Sequence, residues 1–133
     1  MKRGVQTHSP FNKNMKKEIA KIWVAALRSG KYKQGTSYLR KGDEFCCLGV
    51  LCDLAIKADV IDEAIPHPSG RQGIFCFDDG STEMLPKTVQ EWSGLNSDDG
   101  AIAAVHHDLA SFNDDGKPFS EIADIIEANV EAL

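Results

Sequence analysis

The stretch FCCLGVLCDL, residues 45–54, decides the architecture of this chain. Residues 47–56 are apolar on nearly every side, and a helix of that composition is typical of a buried position. We therefore predict a central buried helix that ends near Ala58. Asp53 is the one acid within it, and a buried carboxylate needs a cation or several hydrogen-bond donors.

The segment before the central helix predicts a hairpin and a surface helix. Strands are expected over residues 36–40 and 44–46, around the turn Lys41-Gly42-Asp43, whereas residues 31–35 are expected to form a loop. Asn14 is the predicted N-cap of a helix that runs to Ser29, with Gly30 in the left-handed position after it. One face of this helix is apolar and consists of Met15, Ile19, Ile22, Trp23 and Ala26.

The segment after the central helix predicts a second hairpin and two more helices. A loop is expected over residues 65–72, a hairpin over 73–77 and 81–85, and a short helix over 87–92 that stops at Gly94. Residues 101–105 fit a strand or a helix; we favour a strand, followed by a short helix over 107–112. Ser120 is the predicted N-cap of a last, amphipathic helix. These elements predict an α+β fold, in which a small, mostly antiparallel sheet of two hairpins packs with N-terminal, central and C-terminal helices.

The length of 133 residues, 42% hydrophobic and 26% charged, suits one compact domain. We assign it to residues 14–133 and expect residues 1–13 to form a flexible basic arm. No apolar run approaches the roughly 18 residues of a membrane span. The first residues also lack the apolar stretch of a signal peptide, so a cytoplasmic protein without membrane contact is expected.

The charges divide sharply along the chain. Residues 1–41 hold 11 of the 15 Lys and Arg residues and one acid, which makes this segment +10, whereas residues 42–133 are −15. This asymmetry predicts an anionic partner, neutralisation by the chain's own acids, or self-association into a homo-oligomer. The residues that we expect to contact a polyanion form a stripe opposite the apolar face of the first helix: Lys13, Lys17, Lys21 and Arg28. The acidic remainder would repel extended duplex nucleic acid, so a small phosphate-containing ligand or an acidic protein surface fits better.

No metal or cofactor site is predicted, and no catalytic residue is assigned. The four cysteines lie at positions 46, 47, 52 and 76, and the first three fall in the apolar stretch. We expect them to be reduced packing residues. Their spacing does not form a zinc knuckle. His106-His107-Asp108 contains the H-x-D of a ferrous site but is followed by no further histidine. A nucleophilic cysteine or an Asp/His site remains an alternative.

Five polar residues are the predicted ligand-binding set. We expect Asp53 to pair with Arg40 of the adjacent hairpin, either as a structural ion pair or as the polar floor of a pocket. The other members, Gln34, Asn113 and Asp114, lie in loops or at element ends, as Arg40 does, and such positions often serve binding. The competing interpretation is that Gln34 and Asn113 only tie loops together.

Several blocks of the chain carry a resemblance to a known family. They are WVAALRSGKYKQG (residues 23–35), Leu39-Arg40, FCCLGVLCDL, the spacing LP…V…W…GL over residues 85–95, and the spacing L…ND…G…F…IAD over residues 109–124. In these blocks, between about residues 18 and 131, the chain resembles a family of small proteins of tailed bacteriophages and prophages. The resemblance implies a phage setting and the cytoplasm of a bacterial host, and it implies no reaction.

A phage-encoded binding protein is the function that we predict. It would engage or sequester a host component, such as a host protein or a signalling nucleotide of a defence system. Two alternatives remain open. One is a small hydrolase or nucleotide-modifying enzyme that uses a cysteine or an Asp/His site, and the other is an accessory protein of phage assembly.

Overall fold

The computed structural model describes residues 14–133, so the predicted arm over residues 1–13 lies outside the described residues. The described chain consists of helices and of short strands that pair mostly antiparallel, which confirms the α+β fold. None of the described helices has both the length and the apolar character that a membrane crossing requires. The helices are α1 (Lys17–Arg28), α2 (Cys47–Lys57), α3 (Lys87–Ser93), α4 (Leu109–Asp114) and α5 (Phe119–Ala128). The strands are β1 (Lys33–Gln34), β2 (Arg40–Lys41), β3 (Glu44–Phe45), β4 (Ile65–Pro66), β5 (Phe75–Cys76), β6 (Ala101–Ile102) and β7 (His107–Asp108).

Helix α2 is the predicted central helix, and the structure confirms both its burial and its end at Ala58. Leu48, Val50 and Leu51 are completely buried, and each contributes roughly 1.5–3 kcal/mol through removal of apolar surface from water. Helix α1 packs along α5 and against α2, where the Nε1 of Trp23 donates to the carbonyl oxygen of Cys47 at 2.9 Å. One hydrophobic core takes side chains from all five of the described α-helices.

Gly49 lies within α2, although glycine disfavours a helix by about 1 kcal/mol relative to alanine. A Cβ added at this position would lie 1.7 Å from the carbonyl oxygen of Leu39. The chain that leads into β2 therefore crosses α2 at a distance that only glycine permits. This crossing sets the position of the first hairpin on the central helix.

The first predicted hairpin is confirmed, with shorter strands than expected. β2 and β3 pair antiparallel, and Gly42 in their turn has a φ of +62°. The prediction of a loop over residues 31–35 is wrong at β1, which pairs in parallel with β3. The parallel ladder continues past Gln34, because Gly35 donates its N–H to the carbonyl oxygen of Phe45 at 2.8 Å.

The predicted pairing within the second hairpin is wrong. β5 pairs with β4, inside the segment expected to be a loop, and only an isolated bridge joins Phe77 to Ser81. The reason is that residues 82 and 85 bond elsewhere: Thr82 accepts from the N–H of Leu39, and Leu85 donates to Asp98. A further bridge between Lys41 and Ile74 links the sheet of β1, β2 and β3 to the sheet of β4 and β5.

Two predicted N-caps are wrong because tertiary contacts satisfy the helix ends. Helix α1 is capped by Lys16 rather than Asn14, and the N–H of Lys16 donates to the carbonyl oxygen of Ser93 at 2.8 Å. Pro118 rather than Ser120 occupies the N-cap position of α5, and the side chain of Gln34 accepts from the N–H of Phe119 at 3.1 Å. The short helix α3 is confirmed, and Gly94 ends it with a φ of +82°.

The favoured strand over residues 101–105 is confirmed only at β6. The next three residues, Ala103–Val105, form a 3-10 turn, and His106 follows with a φ of +52°. The chain can then return along β6 as β7. Helix α4 begins at Leu109 rather than near residue 107, because the carboxylate of Asp108 caps it by accepting from the N–H of Ser111 at 2.7 Å.

Candidate functional site

Asn113, which is completely buried, joins three segments of the chain. Its Oδ1 accepts from the backbone N–H of Cys47 at 3.0 Å and from Nε2 of Gln34 at 3.0 Å. Its Nδ2 donates to the carbonyl oxygen of Gly35 at 2.8 Å. Because the first N–H groups of a helix lack helical acceptors, Asn113 acts as a remote cap of α2.

Gln34 serves α5 in the same way. Its Oε1 accepts from the N–H of Phe119, the first residue of α5, at 3.1 Å, and its Nε2 also donates to the carbonyl oxygen of Lys117 at 2.9 Å. Asp114 accepts from the N–H of Ser37 at 2.9 Å. Gln34, Asn113 and Asp114 therefore come together, and their hydrogen bonds hold loops and helix ends. The geometry favours the interpretation that Gln34 and Asn113 tie loops together.

The predicted pair between Asp53 and Arg40 is wrong. Asp53 accepts from the hydroxyl of Tyr32 and forms an ion pair with Nζ of Lys57 at 3.2 Å, one helical turn away. The side chains of Asp53 and Lys57 are 22% and 66% exposed, so this pair contributes at most about 1 kcal/mol. Desolvation, followed by the hydrogen bond to Asp53, raises the pKa of Tyr32. The sequence pattern misled because an apolar helix can still turn one residue towards the surface.

Arg40 lies on aromatic rings instead. Its Cζ lies 4.0 Å from the ring centroid of Phe75 and 5.3 Å from that of Phe45, and its Nε donates to the carbonyl oxygen of Gly42 at 2.8 Å. The N–H groups on its two Nη atoms have no hydrogen-bond partner within residues 14–133, and no carboxylate there forms an ion pair with it. The guanidinium is thus held in place while most of its donors remain available.

The surroundings of Arg40 form a partly exposed row, which we call the arginine–aromatic row: Tyr32, Phe45, Arg40 and Phe75. The register places Arg40 opposite Phe45, whose ring meets Tyr32 edge-on with centroids 5.3 Å apart. The neighbouring Lys41 is exposed. Sequence reasoning missed the three rings, because Phe75 is distant along the chain and no local spacing connects it to Arg40.

The cysteine thiols are buried and free, in keeping with packing residues. Burial raises the pKa of Cys46 to about 11 and raises the pKa values of Cys47 and Cys52 well above the ordinary range. Since the thiolate is the nucleophilic form, these three cysteines are poorly suited to covalent catalysis at neutral pH.

His106 and His107 form no catalytic arrangement with a nucleophile in the described part of the chain. A histidine does contact a hydroxyl at His67, whose Nδ1 lies 2.6 Å from Oγ of the exposed Ser69. His107 Nε2 lies 3.3 Å from Oδ2 of Asp115, which is 70% exposed. Neither side chain hydrogen-bonds to a hydroxyl or thiol among residues 14–133. The ring of His107 packs edge-on against Phe112 instead, with the centroids 4.3 Å apart.

The predicted polyanion stripe is divided in the structure, and Lys13 lies outside the described residues. Arg28 bonds to the chain's own acids, Asp124 at 2.6 Å and Glu127 at 3.1 Å. Lys17 and Lys21 are exposed, and no carboxylate within residues 14–133 forms an ion pair with either. Neutralisation by the chain's own acids therefore accounts for Arg28 and leaves the two lysines available.

A family model with the description "Domain of unknown function (DUF8296)" matches residues 15–130. The chain belongs to this family. The DUF8296 match spans all five described α-helices and the arginine–aromatic row, and it includes every residue of the hydrophobic core except Leu133. No curated protein and no solved structure matches the chain significantly.

Proposed function

We propose that this member of the DUF8296 family is a non-catalytic binding protein that holds a phosphate-bearing ligand at Arg40. The observation that carries the proposal is the stacking of Arg40 on Phe75, with no hydrogen-bond partner among residues 14–133 for the N–H groups of either Nη atom. A guanidinium recognises phosphate oxygens through two parallel hydrogen bonds, which need a fixed planar donor. Stacking on the ring provides that fixed orientation before a ligand arrives.

The charges around Arg40 also support an anionic ligand. The neighbouring Lys41 is exposed and bridges to Ile74, whose N–H donates to the carbonyl oxygen of Arg71 at 3.2 Å. Arg71 is also exposed, and its Nη2 donates to the hydroxyl of Tyr38 at 2.8 Å. The partly exposed rings of Phe45 and Tyr32 offer apolar surface beside the cations. A nucleotide combines both requirements, because it carries phosphate oxygens and a flat base that packs on aromatic or guanidinium surfaces.

A binding role agrees better with the thiols than the hydrolase alternative does, since burial keeps Cys46 and Cys47 protonated. The resemblance to phage and prophage proteins supports a bacterial cytoplasm as the setting. There, a signalling nucleotide of a host defence system would be sequestered. A host protein with exposed phosphate or carboxylate groups is the other partner that Arg40 could recognise.

The experiment is a titration of the purified protein with three probes: a cyclic dinucleotide, inorganic phosphate and adenosine. The NMR signal of the Arg40 Nε–H group reports on the site. We expect the cyclic dinucleotide to shift this signal and to bind more tightly than phosphate, whereas adenosine binds weakest. Mass spectrometry of the titrated samples checks that the nucleotide remains intact.

Three variants test the role of Arg40. Arg40→Gln removes the charge and is expected to weaken binding at least about tenfold, or about 1.4 kcal/mol. Phe75→Leu keeps the charge, removes the stacking ring, and should cause a smaller loss. Lys87→Gln is the matched control, because it removes an exposed cation on α3 without affecting the row. An Arg40 signal that none of the probes moves would refute the proposal, and hydrolysis of the nucleotide would favour the enzyme alternative.

A further inference from the structure

A shallow groove of about 270 Å³ lies between α1 and the end of α5, and it shares no lining residue with the arginine–aromatic row. Its α5 side includes Glu127, and Val130 follows in the next turn. Small and apolar residues lie at its centre beside Lys21, and its ends are charged. The residues of α1 that line it are Lys17, Ala20, Lys21, Val24, Ala25 and Arg28.

The side chains of these α1 residues match one another in size when α1 lies antiparallel to the α1 of a second copy. If the two helices cross between positions 22 and 23, Ala20 lies level with Ala25 of the other copy. Lys21 lies level with Val24, over which its methylene groups can pack. Small residues at the crossing let two helices approach closely.

The charges at the two ends of the groove are complementary under the same arrangement. Lys17 at one end forms no ion pair within the described chain, and it falls level with position 28 of the other copy. There the single positive charge of Arg28 is surrounded by the carboxylates of Asp124 and Glu127, so the cluster is net −1. Each Lys17 thus faces the anionic cluster of the other copy, so this contact occurs once at each end of the pair.

We propose that this groove is the contact face of a two-fold symmetric dimer of the chain. A face that is complementary to itself under an antiparallel pairing is what an isologous interface requires. The apolar centre is small and each copy carries a net charge of −5, so the dimer is weak and dissociates on dilution. Because Lys17 and the acidic cluster are solvent-exposed, salt weakens the dimer further.

Sedimentation velocity over a series of protein concentrations measures the dimer directly. The wild-type chain is expected to shift from monomer to dimer with rising concentration at low salt. Lys17→Glu and Asp124→Lys are each expected to raise the dissociation constant at least about tenfold, because each puts like charges opposite one another. Both positions are exposed, and an acid in the first turn of α1 favours the helix, so the fold is retained.

An equimolar mixture of Lys17→Glu and Asp124→Lys is the decisive sample. In a mixed pair, the introduced carboxylate lies opposite the introduced amine at one end, and the native lysine lies opposite the native acids at the other. The mixture is therefore expected to dimerise when neither variant does alone. Ala25→Arg, which places bulk on the exposed centre of the face, should abolish the dimer.

Lys87→Glu is the matched control, with the same charge change on α3, and it should dimerise like the wild-type chain. A wild-type chain that stays monomeric at every concentration would overturn the proposal. So would a mixture that stays monomeric while the wild-type chain dimerises, or a dimer that Ala25→Arg leaves intact. Circular dichroism confirms that each variant is folded.

Discussion

Replacement of Gly49 by alanine tests the closest backbone contact in the fold. In most helices this change stabilises, by about 0.5–1 kcal/mol, because alanine loses less conformational freedom on folding. Here the new Cβ would lie 1.7 Å from the carbonyl oxygen of Leu39. That oxygen must retreat by about 1.5 Å to reach the 3.0–3.4 Å range of tight contacts.

The retreat has a cost that the structure allows us to work out. Leu39 is completely buried, its N–H donates to Thr82 at 2.7 Å, and its carbonyl accepts from Cys46 at 3.4 Å. Weakening these two hydrogen bonds costs about 1 kcal/mol each. Overpacking of the core adds about 1–3 kcal/mol. After subtraction of the gain in helix propensity, Gly49→Ala should lower the free energy of unfolding by about 2–4 kcal/mol.

Urea unfolding followed by circular dichroism and by the fluorescence of the buried Trp23 measures this loss. With a slope of about 2 kcal/mol per molar urea, the midpoint should fall by about 1–2 M. Gly30→Ala is the control: its φ is +76° and no atom lies within 4 Å of the added Cβ, so it costs only the backbone strain of about 1–2 kcal/mol. A Gly49→Ala protein as stable as the wild type would refute the reasoning.

Two further predictions concern the buried polar cluster and the thiols. Asn113→Ala should lower the free energy of unfolding by about 2–3 kcal/mol, because the N–H of Cys47 and the carbonyl of Gly35 lose their buried partner. Urea unfolding measures this, and a loss below about 1 kcal/mol would contradict the remote-cap role. The thiol of Cys46 has a pKa of about 11 in the folded chain against 9.0 ordinarily. Its contribution to the free energy of unfolding is therefore fully present below about pH 9 and is lost as the pH rises towards 11. The free energy of unfolding should therefore be lower at about pH 10 than at about pH 8, and Cys46→Ala should reduce this difference. A difference that the variant leaves unchanged would show that this thiol does not titrate as described.

Local sequence patterns predicted the elements that depend on local chemistry. The apolar composition of residues 47–56 identified α2, and the turn around Gly42 identified the hairpin of β2 and β3. Gly94 correctly marked the end of α3. In each case the signal lies within one or two turns of chain, where apolar composition, glycine conformation and helix geometry act directly.

The strands β1 and β4 escaped prediction because no tight turn joins either of them to its partner, which lies further along the chain. β1 pairs with β3 across a segment that contains β2, and β4 pairs with β5 across a loop. The same limit applies to the helix starts. The N–H of Phe119 bonds to the side chain of Gln34, so no local cap marks the true beginning of α5.

The candidate site shows the same division. The sequence by itself identified Gln34, Arg40, Asp53, Asn113 and Asp114 as the polar residues of interest, and it determined that the positive charge is concentrated before residue 42. Only the tertiary structure decided their roles. In the folded chain, Asn113 caps α2, Asp53 accepts a hydrogen bond from Tyr32, and Arg40 lies on the ring of Phe75. The physical reason is that a hydrogen bond or a stacking contact depends on distances of 3–5 Å in space, and those distances arise only when separate segments pack on one core.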